Sequence, residues 1–209
     1  MTRISIPEAF DLTGRTAVVT GAGRGLGRAI ARRLAEAGAH VTCADIDPKT
    51  AADTAAEIGA EGGSARARTL DVTVAADVDA AVGEVVDAHG RLDVMVNNAA
   101  IINDTRVLDT TEADLDRIWA VNFKGVFFGC QAAGRVMAAQ RSGSIVNLAS
   151  GAIDIPTPGL ICYSAAKVAV AQLTRTLATE LGPDHVRVNA IAPGWIDTPI
   201  TERPERRAT

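Results

Sequence analysis

A tyrosine and a lysine stand four residues apart in "YSAAK", Tyr163 and Lys167. The first is the only tyrosine of the 209-residue chain, and the second is one of three lysines among many arginines. Residues four apart share one face of a helix, so phenol and ammonium would point the same way. A free tyrosine titrates near about 10, too high to exchange protons readily at neutral pH. A neighbouring ammonium favours the phenolate and is expected to lower that value. This is how a tyrosine becomes a general acid–base. The bland alternative is a tyrosine packed at a helix start beside a solvated lysine. Ser150 weighs against it: it ends an apolar run thirteen residues before the tyrosine. The connecting "GAIDIPTPGLIC" is long enough to shape a pocket between them.

A second chemical signal lies in "TGAGRGLG" (20–27), with glycines at 21, 23, 25 and 27. The spacing is TGxxxGxG, not GxGxxG. Glycines let the backbone turn tightly and approach a pyrophosphate, whose charge sits among the free N–H groups of a helix N-terminus. A glycine-rich turn with packing reasons only would look similar, but a strand before it and an amphipathic helix after it favour a dinucleotide site. Asp45 ends the next strand, where a carboxylate can accept hydrogen bonds from ribose hydroxyls and repel a 2′-phosphate. It argues for NAD over NADP. Arg24, inside the glycine loop, argues mildly the other way, because it could meet a 2′-phosphate. In "DIDP" Asp47 is the better helix-cap candidate, which leaves Asp45 free for this role.

The elements that must position these groups alternate along the chain. Strands are expected at "TAVVT" (16–20), "HVTCAD" (40–45), "ARTLDV" (67–72), "LDVMVNNAA" (92–100), "GSIVNLAS" (143–150) and "VRVNAIAPG" (186–194). Helices are expected from the stripes Leu26, Ile30, Leu34; Val74, Val78, Val82, Val85; and Val170, Leu173, Leu177, Leu181. Further helices read over 47–59, with Pro48 in the first turn, and over 111–140, with a break near Asn122. Strands alternating with crossover helices imply one doubly wound parallel α/β sheet, a three-layer Rossmann arrangement covered on both faces. Its ligands belong at the carboxyl ends of the strands. Thr20, Gly21, Asp45, Asn98 and Ser150 all fall there. A single domain over 1–209 is expected from the length and the lack of any linker or repeat.

Composition excludes several classes of partner. A net charge of -4 gives no reason to expect nucleic acid or anionic membrane. No apolar run reaches the roughly 18 residues of a spanning helix, and the N-terminus lacks the pattern of a signal peptide. Cys43, Cys130 and Cys162 are odd in number and widely spaced, which makes neither a disulfide framework nor a zinc pattern. His40, His89 and His185 lack metal-ligand company, so no metal is expected. The reading is a reduced, cytoplasmic protein.

Taken in order, these motifs resemble the short-chain dehydrogenases/reductases over about residues 12–199. "TGAGRGLG" looks like that family's glycine motif, "LDV" (70–72) its adenine-contact segment, and "NNAA" (97–100) its NNAG motif. Asn122 in "VNFKG" sits at its catalytic asparagine, "YSAAK" is its YxxxK, and "NAIAPGWIDTP" (189–199) resembles the segment that closes over the nicotinamide. The resemblance implies hydride transfer between a secondary alcohol or ketone and a nicotinamide cofactor. Tyr163 would be the acid–base, Lys167 would lower its pKa and hold the nicotinamide ribose, and Ser150 would hydrogen-bond the reacting oxygen. Asn122 would hold a water that relays protons through Lys167. The implied cofactor set comprises Gly21, Arg24, Gly25, Leu26, Gly27, Asp45, Asp71, Val72, Asn98, Ala99, Pro193, Gly194, Ile196 and Thr198, with Tyr163 and Lys167. Trp195 is a candidate wall of the substrate site beside Ser150 and Tyr163. A homodimer or homotetramer is implied too, through the apolar helix "GVFFGCQAAGRVM" (125–137).

Two departures from the family stand out. Ala100 replaces the usual glycine, a constraint if the position needs a positive φ. The chain also stops ten residues past Pro199, short of the family's last helices and seventh strand. The sixth strand is thus expected at a sheet edge, since the polar tail cannot pair as a strand. A catalytically weak dinucleotide-binding protein is the alternative this leaves open, with an epimerase or dehydratase on the same scaffold as a third.

Overall fold

Alternation along one strand shows how a single sheet serves two cores. In the computed structural model, which describes residues 10–201, every residue of β1 (Thr16–Thr20) is buried. Ala17 and Val19 face one side, with Ala31 and Ala35 of helix α1 (Gly25–Glu36) and Ile58 of α2 (Pro48–Ala60). Val18 faces the other, with Val78, Val82 and Val85 of α3 (Ala75–His89), Val126 and Met137 of α5 (Gly125–Gln140) and Val170 of α6 (Ile161–Leu181). Successive side chains of a strand point to opposite faces, so a strand covered on both sides needs apolar residues throughout. Each fully buried valine or isoleucine contributes about 1.5–3 kcal/mol.

The remaining strands are β2 (His40–Asp45), β3 (Ser64–Thr69), β4 (Val94–Asn97), β5 (Gly143–Leu148) and β6 (Val186–Ile191). All pair in parallel, in the order β3-β2-β1-β4-β5-β6. The order reverses between β1 and β4, and open α/β sheets bind ligands outside the carboxyl ends at such a point. The expected doubly wound sheet is therefore present. Its layers are uneven among the described residues. Helices α3, α5 and α6 cover one face as far as Val186 and Val188 of β6, while Arg187 and Asn189, pointing the other way, are exposed. Among the described residues β6 lies at one end of the strand order, as expected; the polar tail lies mostly outside them.

Several boundaries differ from the sequence expectation. The third strand is Ser64–Thr69, not 67–72, because the ladder to β2 runs from His40↔Ser64 to Asp45↔Thr69. After it the Leu70 N–H still reaches the Asp45 carbonyl, and Asp71 then turns the chain by accepting from the Thr73 N–H. The fifth and sixth strands stop at Leu148↔Ile191, short of 150 and 194. Pro193 has no N–H to continue a ladder. The fourth ends at Asn97, where Asn98 turns to the glycine loop. Val74 is not part of the α3 stripe: it precedes the helix, in extended conformation and exposed. The helical region expected to break near Asn122 continues instead. α4 (Glu112–Trp119) passes through a π-helical segment, Ala120–Lys124, into α5.

Candidate active site

The glycine loop closes β1 onto an open helix end. α1 begins after Arg24 with no side-chain cap and no acidic residue in its first turn. Its leading N–H groups are thus left for an anion. Gly25 sits at φ +55, a conformation costly for a side chain. A Cβ on Gly27 would collide with the Gly21 carbonyl. Gly27 therefore serves the close packing of helix on strand, and it does not line the cleft as expected. The neighbouring α2 is the opposite case, because the Asp47 carboxylate accepts from the Lys49 and Thr50 N–H groups.

The strand ends are bonded to this loop. Asp45 accepts from the Gly23 N–H at 2.9 Å and from the Asp47 N–H at 3.1 Å, which holds its carboxylate at the rim. Asn98 donates from its amide nitrogen to the Thr20 and Gly21 carbonyls at 2.9 and 3.1 Å. Thr20 Oγ1 in turn accepts from the Asn98 and Ala99 N–H groups. Ala100 is not among the described residues of positive φ, so alanine fits there without strain.

The opposite wall carries the proton chemistry. Ser150 lies just past β5 and opens a short turn, its Oγ accepting from the Ala152 N–H at 3.1 Å. Its hydroxyl also faces Tyr163 and favours the phenolate. The Gly151 N–H donates to the Pro193 carbonyl at 2.8 Å, bringing the chain after β6 alongside. Lys167, 1% exposed, has its Nζ 5.6 Å from the centre of the Tyr163 ring and donates to the Leu148 carbonyl at 2.6 Å. Burial without a carboxylate partner pulls the lysine down to about 8. The tyrosine departs from expectation. Burial raises its pKa and outweighs the lowering by the Ser150 hydroxyl, so the net direction is upward and not the expected fall.

A cleft of about 280 Å³ joins these parts. It brings together Ser150, Tyr163 and Lys167 with Gly21, Arg24, Gly25, Leu26, Asp45, Asp71, Val72, Asn98, Ala99, Pro193, Gly194, Ile196 and Thr198. Two further candidates lie outside its walls. Trp195 is 64% exposed and is not among the residues that line the cleft. Asn122 is fully buried behind it. Its Oδ1 accepts from the Ile101 N–H at 2.9 Å and its Nδ2 donates to the Ile101 carbonyl at 2.8 Å. Both ends of the amide are committed to the wall's backbone, so the side chain positions Ile101 and does not reach the cleft. Sequence reasoning passed over Ile46, Ile101, Val121 and Thr201, which also line the cleft. Ile46 directly follows Asp45, and an apolar residue between the two aspartates of "DIDP" was the available signal.

The described residues suit a dinucleotide: an uncapped helix end for phosphate, a carboxylate at the ribose end, and apolar Val72 and Ile46 near it. They hold no cluster of metal ligands and no helix long and apolar enough to cross a membrane. The three cysteines are buried and unbridged.

Comparison with known proteins agrees with this layout. The sequence pattern of the short chain dehydrogenases matches residues 15–208. A 3-oxoacyl-[acyl-carrier-protein] reductase of Synechocystis is 43% identical over 192 residues, 91% of this chain and 78% of that protein. A sorbitol dehydrogenase of Cereibacter sphaeroides is 42% identical over 187 residues, 89% of this chain and 72% of that one. The crystal structure of an NAD+-bound xylitol dehydrogenase superposes with a TM-score of 0.85 at 36% identity, over 88% of this chain and 71% of that one. With the glycine loop, the serine–tyrosine–lysine wall and these likenesses in one sheet, the chain belongs to the short-chain dehydrogenase family and is one of its oxidoreductases.

Proposed function

We propose that the protein transfers a hydride between NAD and a small secondary alcohol or ketone, with Tyr163 as the general acid–base. The observation that carries this is the convergence of Ser150, Tyr163 and Lys167 on one cleft with the open end of α1. Nicotinamide dinucleotide, when bound, supplies the ring that accepts the hydride. The glycine loop and the first turn of α1 would hold its pyrophosphate. In the oxidative direction Ser150 holds the substrate hydroxyl and Tyr163 takes its proton as the carbonyl forms. Lys167, mostly protonated at neutral pH with its pKa near about 8, stabilises the phenolate that this requires.

NAD is favoured over NADP by Asp45. Two backbone N–H groups keep its carboxylate at the rim, so it cannot swing away from a 2′-phosphate. Like charges about 4 Å apart near a protein surface repel by about 4 kcal/mol. Arg24 offers a weaker counterweight because it is exposed on the loop. The catalytically weak alternative has less support, since the three chemical side chains meet and the relatives above carry enzyme names. Self-association into a dimer or tetramer goes with this reading, as Trp119 and Phe127 leave apolar surface exposed along α4 and α5.

The test is formation of NADH at 340 nm from a panel of secondary alcohols and polyols, in wild type and Tyr163→Phe. Removing a general acid–base costs about 10²–10⁴-fold. The variant is therefore expected to lose at least about 100-fold in kcat while NAD+ still quenches Trp119 and Trp195 fluorescence. If it keeps more than about a tenth of the rate, a loss under about 1.4 kcal/mol, Tyr163 is not the proton carrier.

A further inference from the structure

One peptide unit of the glycine loop is held from both sides. In a trans peptide the carbonyl and the N–H point in opposite directions. The Ala22 carbonyl accepts from the Thr54 hydroxyl of α2 at 3.0 Å. On the same plane, the Gly23 N–H donates to the Asp45 carboxylate at 2.9 Å. The plane before it is tied as well, since the Ala22 N–H donates to the Ala44 carbonyl at 3.0 Å. Such fixing is needed here. A peptide flips by rotation about ψ of one residue and φ of the next, and a glycine in the second place resists little. Gly23 is required for another reason: a Cβ there would collide with Thr50 and crowd the Asp45 carboxylate. The loop therefore contains a residue that permits the flip and two side chains that oppose it.

Packing does not account for Thr54. It is fully buried, on the face of α2 that also carries Ala51 and Ile58. Valine would fill the same space with no hydroxyl to satisfy, and a buried hydroxyl costs free energy unless it is bonded. Thr50, one turn earlier, meets the loop at Gly23 but bonds within its own helix, to the Asp47 carbonyl at 3.2 Å. Thr50 supplies bulk, and Thr54 supplies the hydrogen bond. The consequence falls on Asp45. Each oxygen of its carboxylate takes one backbone N–H, Oδ2 from Gly23 and Oδ1 from Asp47. A flipped 22–23 peptide would withdraw the first and turn a carbonyl toward the carboxylate, which would then be held at one oxygen only. Neither Thr54 nor Ala22 lines the cleft, so the hydroxyl acts through this peptide and not on a ligand.

Resting on the reading of Asp45 as the carboxylate that selects NAD, we propose that Thr54 is a positioning residue for cofactor choice. By pinning the Ala22–Gly23 peptide it keeps Asp45 aimed at the ribose end of the cleft and against a 2′-phosphate.

The experiment measures dissociation constants of NAD+ and NADP+ by calorimetry, with melting temperatures beside them. It uses wild type, Thr54→Val, Thr54→Ser, Asp45→Ser and the Thr54→Val/Asp45→Ser double variant. Wild type is expected to bind NAD+ more tightly than NADP+. Thr54→Val should lower that preference about fivefold, within the range of one net hydrogen bond. Thr54→Ser keeps the donor and should hold the preference within about twofold, even where the lost methyl lowers the melting temperature. In the Asp45→Ser background Thr54→Val should move the ratio by less than about twofold, because the two side chains act through one peptide. If Thr54→Val does not fold, Thr54→Ala against Thr54→Ser reads the same hydroxyl, since both lack the methyl. A Thr54→Val protein that melts lower with its preference intact, or that loses affinity for both cofactors equally, shows a structural threonine and overturns the proposal. So does an equal change of the ratio with and without the Asp45 carboxylate. Those results leave the redox reading and the role of Asp45 standing. Wild type that binds NADP+ as tightly as NAD+ removes the role of Asp45 and this inference with it.

Discussion

The two ends of the sheet treat a buried charge in opposite ways. At the amino end Asp93, 6% exposed, is saturated. Its carboxylate accepts from Arg15, Arg91 and the Thr16 N–H, and Gln140 closes the same corner by bonding the Leu92 N–H and carbonyl. Burial alone would raise the Asp93 pKa, but the hydrogen bonds from Arg91, Thr16 and Arg15 outweigh it and hold it below the usual carboxylate value. At the carboxyl end Lys167 is as deeply buried, yet among the described residues no carboxylate answers it, its hydrogen bond goes to a backbone carbonyl and its pKa is pulled down to about 8. The first rim is complete in itself. The second is complete only with something bound, and a group kept at a cost to stability marks where the work is done.

The largest break in this contrast should come from Lys167→Met. The folded pKa of the lysine lies below its unfolded value, so between about pH 8 and 10.5 the unfolded chain binds more protons and stability rises with pH. At pH 7 the buried charge costs roughly 3 kcal/mol by that shift. Leaving the Leu148 carbonyl unpaired offsets about 1 kcal/mol of the gain on removing it. Lys167→Met should therefore unfold at higher urea than wild type at pH 7, with the gap closing by pH 10. Its turnover should fall at least about 100-fold, as expected for loss of a group that tunes the acid–base. A variant less stable than wild type at pH 7 would put Lys167 with Asp93, as a structural charge.

Asp93→Ala tests the other rim. Breaking a buried ion pair costs about 3–5 kcal/mol, but both arginines are partly exposed, so about 2 kcal/mol is expected. The folded pKa is depressed, so the contribution is full above the unfolded carboxylate value and is lost as pH falls through the folded one. Urea midpoints of wild type and variant should differ at pH 7 and draw together only as pH falls below the ordinary carboxylate value. At 25 °C and neutral pH, kcat/KM should not change.

What the sequence disclosed follows the same division. Buried parallel strands advertise themselves through β-branched runs, and "TAVVT" and "HVTCAD" were read to the residue. The edge strand "SARART" was not, because an edge needs few apolar residues and the apolar "LDV" after it drew the expected boundary forward. Tyr163, Lys167 and Ser150 were legible because helix spacing and strand ends alone bring them together. Asn122 was legible as a position but not as a geometry. A π-helical turn has no periodicity signal of its own, and only the folded backbone shows the amide spent on Ile101. Trp195 was a candidate from size and a neighbouring Pro-Gly alone, and it is exposed and absent from the cleft lining. The sign of the Tyr163 shift was missed because spacing reveals a neighbour but not burial, and burial dominates.

A smaller effect separates the two carboxylates that lie two residues apart at the end of β2. Asp45→Ser removes the charge that faces the ribose end of the cleft. The ratio of kcat/KM with NAD+ to that with NADP+ should fall about tenfold, the equivalent of about 1.4 kcal/mol. An unchanged ratio would transfer the preference to Arg24 or to another part of the loop.

Asp47→Ala is the control for that result and the smallest effect expected. Asp47 carries the same charge on the same turn, but its carboxylate faces back into α2 and accepts from the Lys49 and Thr50 N–H groups. Losing a cap of this kind costs about 1 kcal/mol, which should show as a lower urea midpoint. The Lys49–Asp53 pair in the next turn is exposed and screened by solvent, so it cannot replace the cap. The cofactor ratio should move less than about twofold, because the charge removed was already turned toward the N-terminus of α2. If Asp47→Ala shifts the ratio as far as Asp45→Ser does, the preference reflects the summed negative field of the turn and not one carboxylate held at the rim.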